Sequence, residues 1–207
     1  MGEKWKWLYL TAVSIQDVNG QVIGALETLE DITERKRLEE QLHTLSLTDE
    51  LTGLYNRRGF LSFAEQQLKV ARRMEKSMIL FFADLDNLKR INDTLGHQEG
   101  DNALLEVAYI LGKVFRESDV IGRVGGDEFA ILAMDTKEEA GGSLIGRLHD
   151  ALAASNWSTG KFQLSLSIGT AHFHPDRPSS LDDLMIQADT AMYEGKRKKN
   201  NGGLLDH

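Results

Sequence analysis

The sequence predicts an α/β (α+β) domain: a mixed central sheet flanked by helices, preceded by a β-hairpin and a linker helix. Three observations carry this. Met78-Ile79-Leu80-Phe81-Phe82-Ala83 is an apolar run without alternation, the pattern of a central strand buried on both faces. Arg123-Val124-Gly125-Gly126-Asp127-Glu128-Phe129-Ala130 sets two glycines and two carboxylates between apolar runs, the pattern of a hairpin with an acidic tip. Phe162, Leu164, Leu166 and Ile168 alternate with Gln163, Ser165 and Ser167, which predicts a strand with one wet face.

The elements follow in order. Trp5 to Ile15 and Gln21 to Leu29 are β-rich, and Asn19-Gly20 between them is a hairpin turn signal. Two strands alone are marginally stable in water, so residues 1–30 need a partner or are a remnant. From Asp31 the chain turns charged and helical. Leu38, Leu42 and Leu45 make one apolar seam over residues 31–48. That seam suits a short parallel coiled coil between two chains, or a helix packed on its own domain. The main domain follows over 46–201, with 202–207 as a tail. Its element order is α-β-α-α-β-β-α-β-α. Leu104, Ala108, Leu111 and Phe115 form one stripe of a helix over 101–116. A further helix spans 137–154, and Ser180 caps a last helix from Leu181 to about Lys198.

Composition bounds the function. The chain has 207 residues, a formal net charge of −8 and no cysteine. The acidic balance argues against nucleic-acid binding, which needs a basic footprint. Disulfides and thiolate metal sites are excluded. No apolar run reaches the roughly 20 residues of a membrane helix, so no direct membrane insertion is expected. No signal-peptide pattern opens the chain, and the expected location is cytoplasmic.

Two acidic sites stand out. Asp84-Leu85-Asp86 ends the buried strand, and Asp127-Glu128 tips the hairpin. If the hairpin pairs beside that strand, the carboxylates converge. Two carboxylates and a backbone carbonyl can hold magnesium and leave positions for phosphate oxygens. Gly125 and Gly126 would let backbone approach such a ligand closely.

At these residues the chain resembles the GGDEF-domain diguanylate cyclases. Gly125-Gly126-Asp127-Glu128-Phe129 is similar to the family signature. Asp84 to Asp93 resembles its first acidic motif, and Leu95-Gly96-His97-Gln98-Glu99-Gly100-Asp101 the motif that follows. Asp49 to Arg58 resembles the entry motif. Ser167-Ile168-Gly169 and Ala188 to Tyr193 resemble the last strand and helix. The resemblance covers about residues 45–200.

It implies a fold like nucleotidyl cyclases and polymerase palm domains. It also implies the conversion of two GTP into cyclic di-GMP and two pyrophosphates. By the same resemblance Asp84, the Leu85 carbonyl and Asp127 would hold Mg2+ (or Mn2+). Asp127, Glu128, Lys89 and Arg123 would be catalytic. For Glu128 a second metal or a structural role are both open. Asn92 and Asp101 match the guanine-reading pair, because a carboxylate accepts from guanine N1–H and N2–H. Gly125, Gly126 and Lys196 would contact the nucleotide. Asn200 stands where the family carries an arginine, and Lys199 or Arg197 are the candidates to substitute. Leu88 stands where phenylalanine is common.

Arg116-Glu117-Ser118-Asp119 is an Arg-x-x-Asp whose spacing to Gly125 marks the family's inhibitory product site. Arg116 can bind guanine or phosphate in bidentate fashion, Asp119 can accept from guanine, and Arg147 matches an arginine that reaches this site from a neighbouring domain. Because each domain would hold one GTP, the resemblance implies a homodimer. Asp31 to Lys36 resembles the end of a PAS domain and the start of its signalling helix, which makes residues 1–30 a PAS remnant. The alternative is a degenerate domain that binds GTP or cyclic di-GMP as a receptor without turnover.

Overall fold

The computed structural model describes residues 5–37, 47–136, 140–155, 157, 162–177 and 179–202, with side chains to 199. The chain divides into two units, residues 1–46 and 47–207.

The first unit is a hairpin. Strand β1 (Leu8–Gln16) pairs antiparallel with β2 (Val22–Asp31). The expected Asn-Gly turn is built on Asp17, whose carboxylate accepts from the amides of Asn19 and Gln21 at 2.8 and 2.9 Å. Residues 33–37 are helical, so the helix starts after β2 rather than at Asp31. Leu38, Leu42 and Leu45, the predicted seam, lie outside the described residues.

The second unit holds a five-stranded sheet in the order β3-β5-β6-β4-β7. Its strands are β3 (Tyr55–Asn56), β4 (Met78–Leu85), β5 (Val120–Arg123), β6 (Glu128–Ala133) and β7 (Leu166–Phe173). β3 runs parallel to β5, and the other pairs are antiparallel. The mixed sheet predicted from sequence is therefore present, and β4 lies inside it. Every residue of β4 except Asp84 is buried.

Alternation along the strands builds two cores. Ile79, Phe81, Ala83 and Leu85 of β4 face helices α2 (Leu88–Leu95), α3 (His97–Val114) and α4 (Ala140–Ala153). Met78, Leu80 and Phe82 face α1 (Arg57–Met74) and α5 (Leu181–Gly202). Such two-sided burial is why the β4 sequence shows no period.

Two helix starts follow the capping rules. Asn56 Oδ1 accepts from the Gly59 amide at 2.9 Å at the start of α1. Ser180 caps α5 as predicted: its Oγ accepts from the Asp183 amide at 3.1 Å, and Asp183 accepts from the Ser180 amide, a reciprocal pair.

One strand differs from expectation. The alternation over 162–168 predicts a strand there, but β7 spans Leu166–Phe173. Residues 162–165 approach the sheet edge, where Phe162 and Leu164 pack on the first core without pairing. The strand continues through Gly169 to Phe173. Among the described residues no helix is long and apolar enough to cross a membrane.

Candidate active site

The pairing of β4 with β6 brings the two acidic motifs together. Asp84 stands opposite Glu128 in the register, and Ser167 of β7 flanks Asp84 on the other side. Cross-strand partners share a face, so both carboxylates lie on the side of α1 and α5. One step further, the Leu85 amide donates to the Asp127 carbonyl at 2.8 Å. The hairpin tip is thus tied to the end of β4 by main chain. Gly125 sits over Glu128: a Cβ at Gly125 would run into the Glu128 carboxylate. Glycine there lets the acid tuck under the turn.

Charge is crowded at this point. Burial pushes the Asp84 carboxyl up; the Lys196 hydrogen bond opposes it, and the charges of Asp127 and Asp86 add to it. Burial also pushes Glu128 up, reinforced by Asp127, Asp189 and Asp84. Two raised carboxyls beside the Asp127 charge fit a bound cation, which would relieve both. Lys196 supplies part of that relief, with Nζ 2.6 Å from Asp84 Oδ1. Among the described residues no group of three or more His, Cys, Asp or Glu side chains is already gathered as a metal cluster. A cation at Asp84 and Asp127 would therefore draw on the Leu85 carbonyl and on oxygens from a phosphate ligand, as hard cations do.

The predicted base-reading residues lie on either side of the elbow between α2 and α3. Asn92 is half-buried in α2, and its Oδ1 abuts Gly100, where a Cβ would collide with it. Asp101 is the next residue, also half-buried. Lys89 is exposed on α2, after Asn87 turns the chain out of β4 with φ 63°, a conformation asparagine tolerates.

Arg123 is committed to the hairpin. Its Nη2 and Nε donate to the Gly126 carbonyl at 2.7 and 3.2 Å. Its Nη1 reaches both oxygens of Asp49 at 3.2 and 3.3 Å. Asp49 also accepts from the amide and hydroxyl of Thr52. Burial raises the Asp49 carboxyl, but Thr52 and Arg123 outweigh it and hold it below the usual range. Sequence reasoning placed Asp49 in a motif without giving it a part in the site. The Asp-x-x-Thr turn was the signal available.

Lys199, one candidate to replace the family's arginine, is bound elsewhere. Its Nζ lies 2.6 Å from Asp86 Oδ2, and Ser165 and Ser167 also donate to Asp86. Sequence reasoning did not foresee this cluster. The 162–168 alternation puts Gln163, Ser165 and Ser167 on a wet face, whereas Ser167 is buried.

The second predicted site also assembles. Arg116, Asp119 and Arg147 line one cleft of about 200 Å³ between α3, α4 and the start of β5. Asp119 accepts from the amides of Arg116 and Met134 at 2.8 and 2.9 Å. Arg147 donates to the Val114 carbonyl at 3.0 Å. The Arg116 side chain is exposed.

The mixed sheet brings the two acidic motifs to adjoining strand ends. Residues 46–202 match the family described as "Diguanylate cyclase, GGDEF domain", and the chain belongs to that family. It is 34% identical over 176 residues to "Probable diguanylate cyclase DgcC" of Escherichia coli (strain K12), covering 84% of this chain and 46% of that protein. It is 38% identical over 174 residues to "Diguanylate cyclase DgcM" of the same strain, covering 83% of this chain and 40% of that protein. The chain thus spans less than half the length of these curated relatives. Among solved structures it is similar to the diguanylate cyclase SiaD of Pseudomonas aeruginosa in complex with its activator SiaC. That likeness has a TM-score of 0.68 at 30% identity and covers 80% of this chain and 64% of SiaD. The GGDEF domain of DgcB from Caulobacter crescentus in complex with c-di-GMP matches with TM-score 0.68 at 28% identity, covering 74% of this chain and 91% of that one.

Proposed function

We propose that this chain is an active diguanylate cyclase that joins two GTP into cyclic di-GMP and two pyrophosphates across a dimer of its domains. The observation that carries this reading is the opposition of Asp84 and Glu128, with the Asp127 carbonyl bonded to Leu85. Degenerate members would lose such residues, and this chain keeps Asp84, Lys89, Gly125, Gly126, Asp127 and Glu128.

Asp84, Asp127 and the Leu85 carbonyl hold Mg2+ (or Mn2+). The cation, when bound, neutralises phosphate charge and makes the 3′-hydroxyl a better nucleophile. Asp127 accepts the proton of that hydroxyl. Glu128 supports the cation site from under Gly125. Asn92 and Asp101 read guanine, which selects GTP over ATP. Lys89 and Lys196 balance charge on the transferring phosphoryl group. Arg123 fixes the turn that carries Asp127. Each domain holds one GTP, so catalysis consists largely of bringing two domains face to face.

Arg116, Asp119 and Arg147 form the inhibitory site for cyclic di-GMP. The product-bound relative from Caulobacter supports a place for that ligand on this fold. Residues 1–30 are the end of a PAS domain, and the helix that opens at Thr33 begins a signalling segment that pairs two chains, with residues 202–207 as a tail; the protein works in the cytoplasm. A receptor without turnover is the second reading. What favours it is Asn200 at the arginine position while Lys199 is bound to Asp86.

Incubation of the purified chain with GTP and Mg2+, followed by nucleotide chromatography, tests the proposal. Cyclic di-GMP and pyrophosphate in a 1:2 ratio are expected. Bound GTP with no product at high protein concentration would establish the receptor reading.

A further inference from the structure

None of the roles above uses Asp86, yet its carboxylate is buried and taken up on all sides. Ser165 Oγ donates to Oδ2 at 2.7 Å, Ser167 Oγ to Oδ1 at 2.7 Å and Lys199 Nζ to Oδ2 at 2.6 Å. Its amide donates to the Ser165 carbonyl at 3.0 Å. Three side-chain bonds and one main-chain bond therefore gather the end of β4, the approach to β7 and the last helix at one residue. A buried carboxylate needs such partners, since an unpaired one is costly.

The cluster sits beside the phosphate end of the site. Lys196 and Lys199 are three residues apart on α5 and so share a helix face. Asp84 and Asp86 are two apart at the end of β4. The two lysines meet the two aspartates in the same order, Lys196 on Asp84 and Lys199 on Asp86. A helix end frays without a tie, and a long cationic side chain is costly to hold in one place. The outer pair provides the tie one turn beyond the residue that needs it. Asn200, at the position where an arginine is usual, leaves Lys199 to take this part.

We propose that Asp86 and Lys199 are positioning residues: Asp86 fastens the last helix through Lys199, and so holds Lys196 where it meets the nucleotide's phosphates. The inference rests on the phosphate role given to Lys196 above. Lys199 acts through Lys196, and Asp86 acts through Lys199.

The test is the affinity of the full chain for 3′-deoxy-GTP with Mg2+, measured by calorimetry. This nucleotide lacks the attacking hydroxyl, so turnover does not intrude. Lys199→Met should weaken binding about fivefold, and Lys199→Arg should restore it to within about twofold, because arginine keeps the charged bond. Lys196→Met should also weaken binding. The double variant Lys196→Met with Lys199→Met should bind no more weakly than Lys196→Met alone, since both act on one contact. Asp86→Asn should weaken binding as Lys199→Met does, and the pair Ser165→Ala with Ser167→Ala should reproduce that loss should Asp86→Asn not fold. Normal affinity in Lys199→Met, or a loss that multiplies in full on Lys196→Met, overturns the inference and leaves the cyclase reading intact. Normal affinity in Lys196→Met overturns the phosphate role of Lys196, and the inference falls with it.

Discussion

Asp84 and Glu128 stand directly opposite each other across the antiparallel pair of β4 and β6. Strand pairing alone forces this, whatever is bound. Two partly buried like charges on one sheet face oppose folding, a cost that active sites commonly carry.

That relationship sets a pH dependence. Burial, then neighbouring charge, pushes the Glu128 carboxyl up. A carboxyl raised in the fold contributes stability below its unfolded pKa and loses it as pH rises through the folded value. Glu128→Gln removes the charge and keeps the shape. Without divalent cation it should raise the melting temperature at pH 7 by about 2–4 °C. The gain should vanish at about pH 3.5, where glutamate is protonated in both states. Scanning calorimetry at the two pH values checks this, and a lower melting temperature at pH 7 would refute the assigned repulsion. Mg2+ should stabilise the unaltered chain more at pH 7 than at about pH 4.5 for the same reason.

Asp127 separates chemistry from folding. Its main-chain carbonyl, not its side chain, accepts from the Leu85 amide. Asp127→Asn keeps that bond and loses the anionic ligand. Cyclic di-GMP formation should fall by about a thousandfold or more, with the unfolding midpoint held or slightly raised. Turnover within about tenfold of normal would remove Asp127 from its assigned role.

Arg123 joins the hairpin tip to the loop before α1 through Gly126 and Asp49. Lysine cannot reproduce this fork. Arg123→Met should lower stability by about 1–3 kcal/mol, the range for a lost charged hydrogen bond. Asp49→Asn added to it should cost less than the two single losses combined, because both break one link. Urea unfolding of the four proteins gives the coupling, and full additivity would show the two ends act independently.

The sequence made these partners unequally legible. Asp84 and Asp127 were visible because a buried strand and a glycine turn each end in acid. Asp49 was hidden: nothing local says that an aspartate 74 residues before Arg123 will receive it. β3 is two residues long, too short for any period. The shift of β7 from 162–168 to 166–173 has a steric cause. Phe162 and Leu164 fill the core without pairing, so burial there imitates a strand.

Gly169 lets the last helix lie close against β7. A Cβ there would meet the Ala188 carbonyl and the Met192 amide, both main chain of α5. Neither can swing away as a side-chain end would. Gly169→Ala should push the last helix off the sheet and destabilise by about 3 kcal/mol, at the upper end for overpacking. Because that helix carries Lys196, GTP turnover should fall as well. Denaturant midpoint and activity together check this, and an unchanged midpoint would disprove the close contact.

Arg116 and Asp119 lie in one cleft but do different work in the fold. Asp119 accepts from two main-chain amides, those of Arg116 and Met134, and so fastens the start of β5 to the end of β6. Asp119→Ala leaves both donors without that partner and should cost about 1–3 kcal/mol. The Arg116 side chain is exposed, so Arg116→Ala should leave stability within about 0.5 kcal/mol. Its effect should be on control: inhibition by added cyclic di-GMP should weaken about tenfold or more, since a bidentate charged contact is lost. Inhibition curves and melting curves on both variants separate the roles. An unaltered inhibition curve for Arg116→Ala would rule out the product site at this cleft, and unaltered melting of Asp119→Ala would show that the two amides find other acceptors.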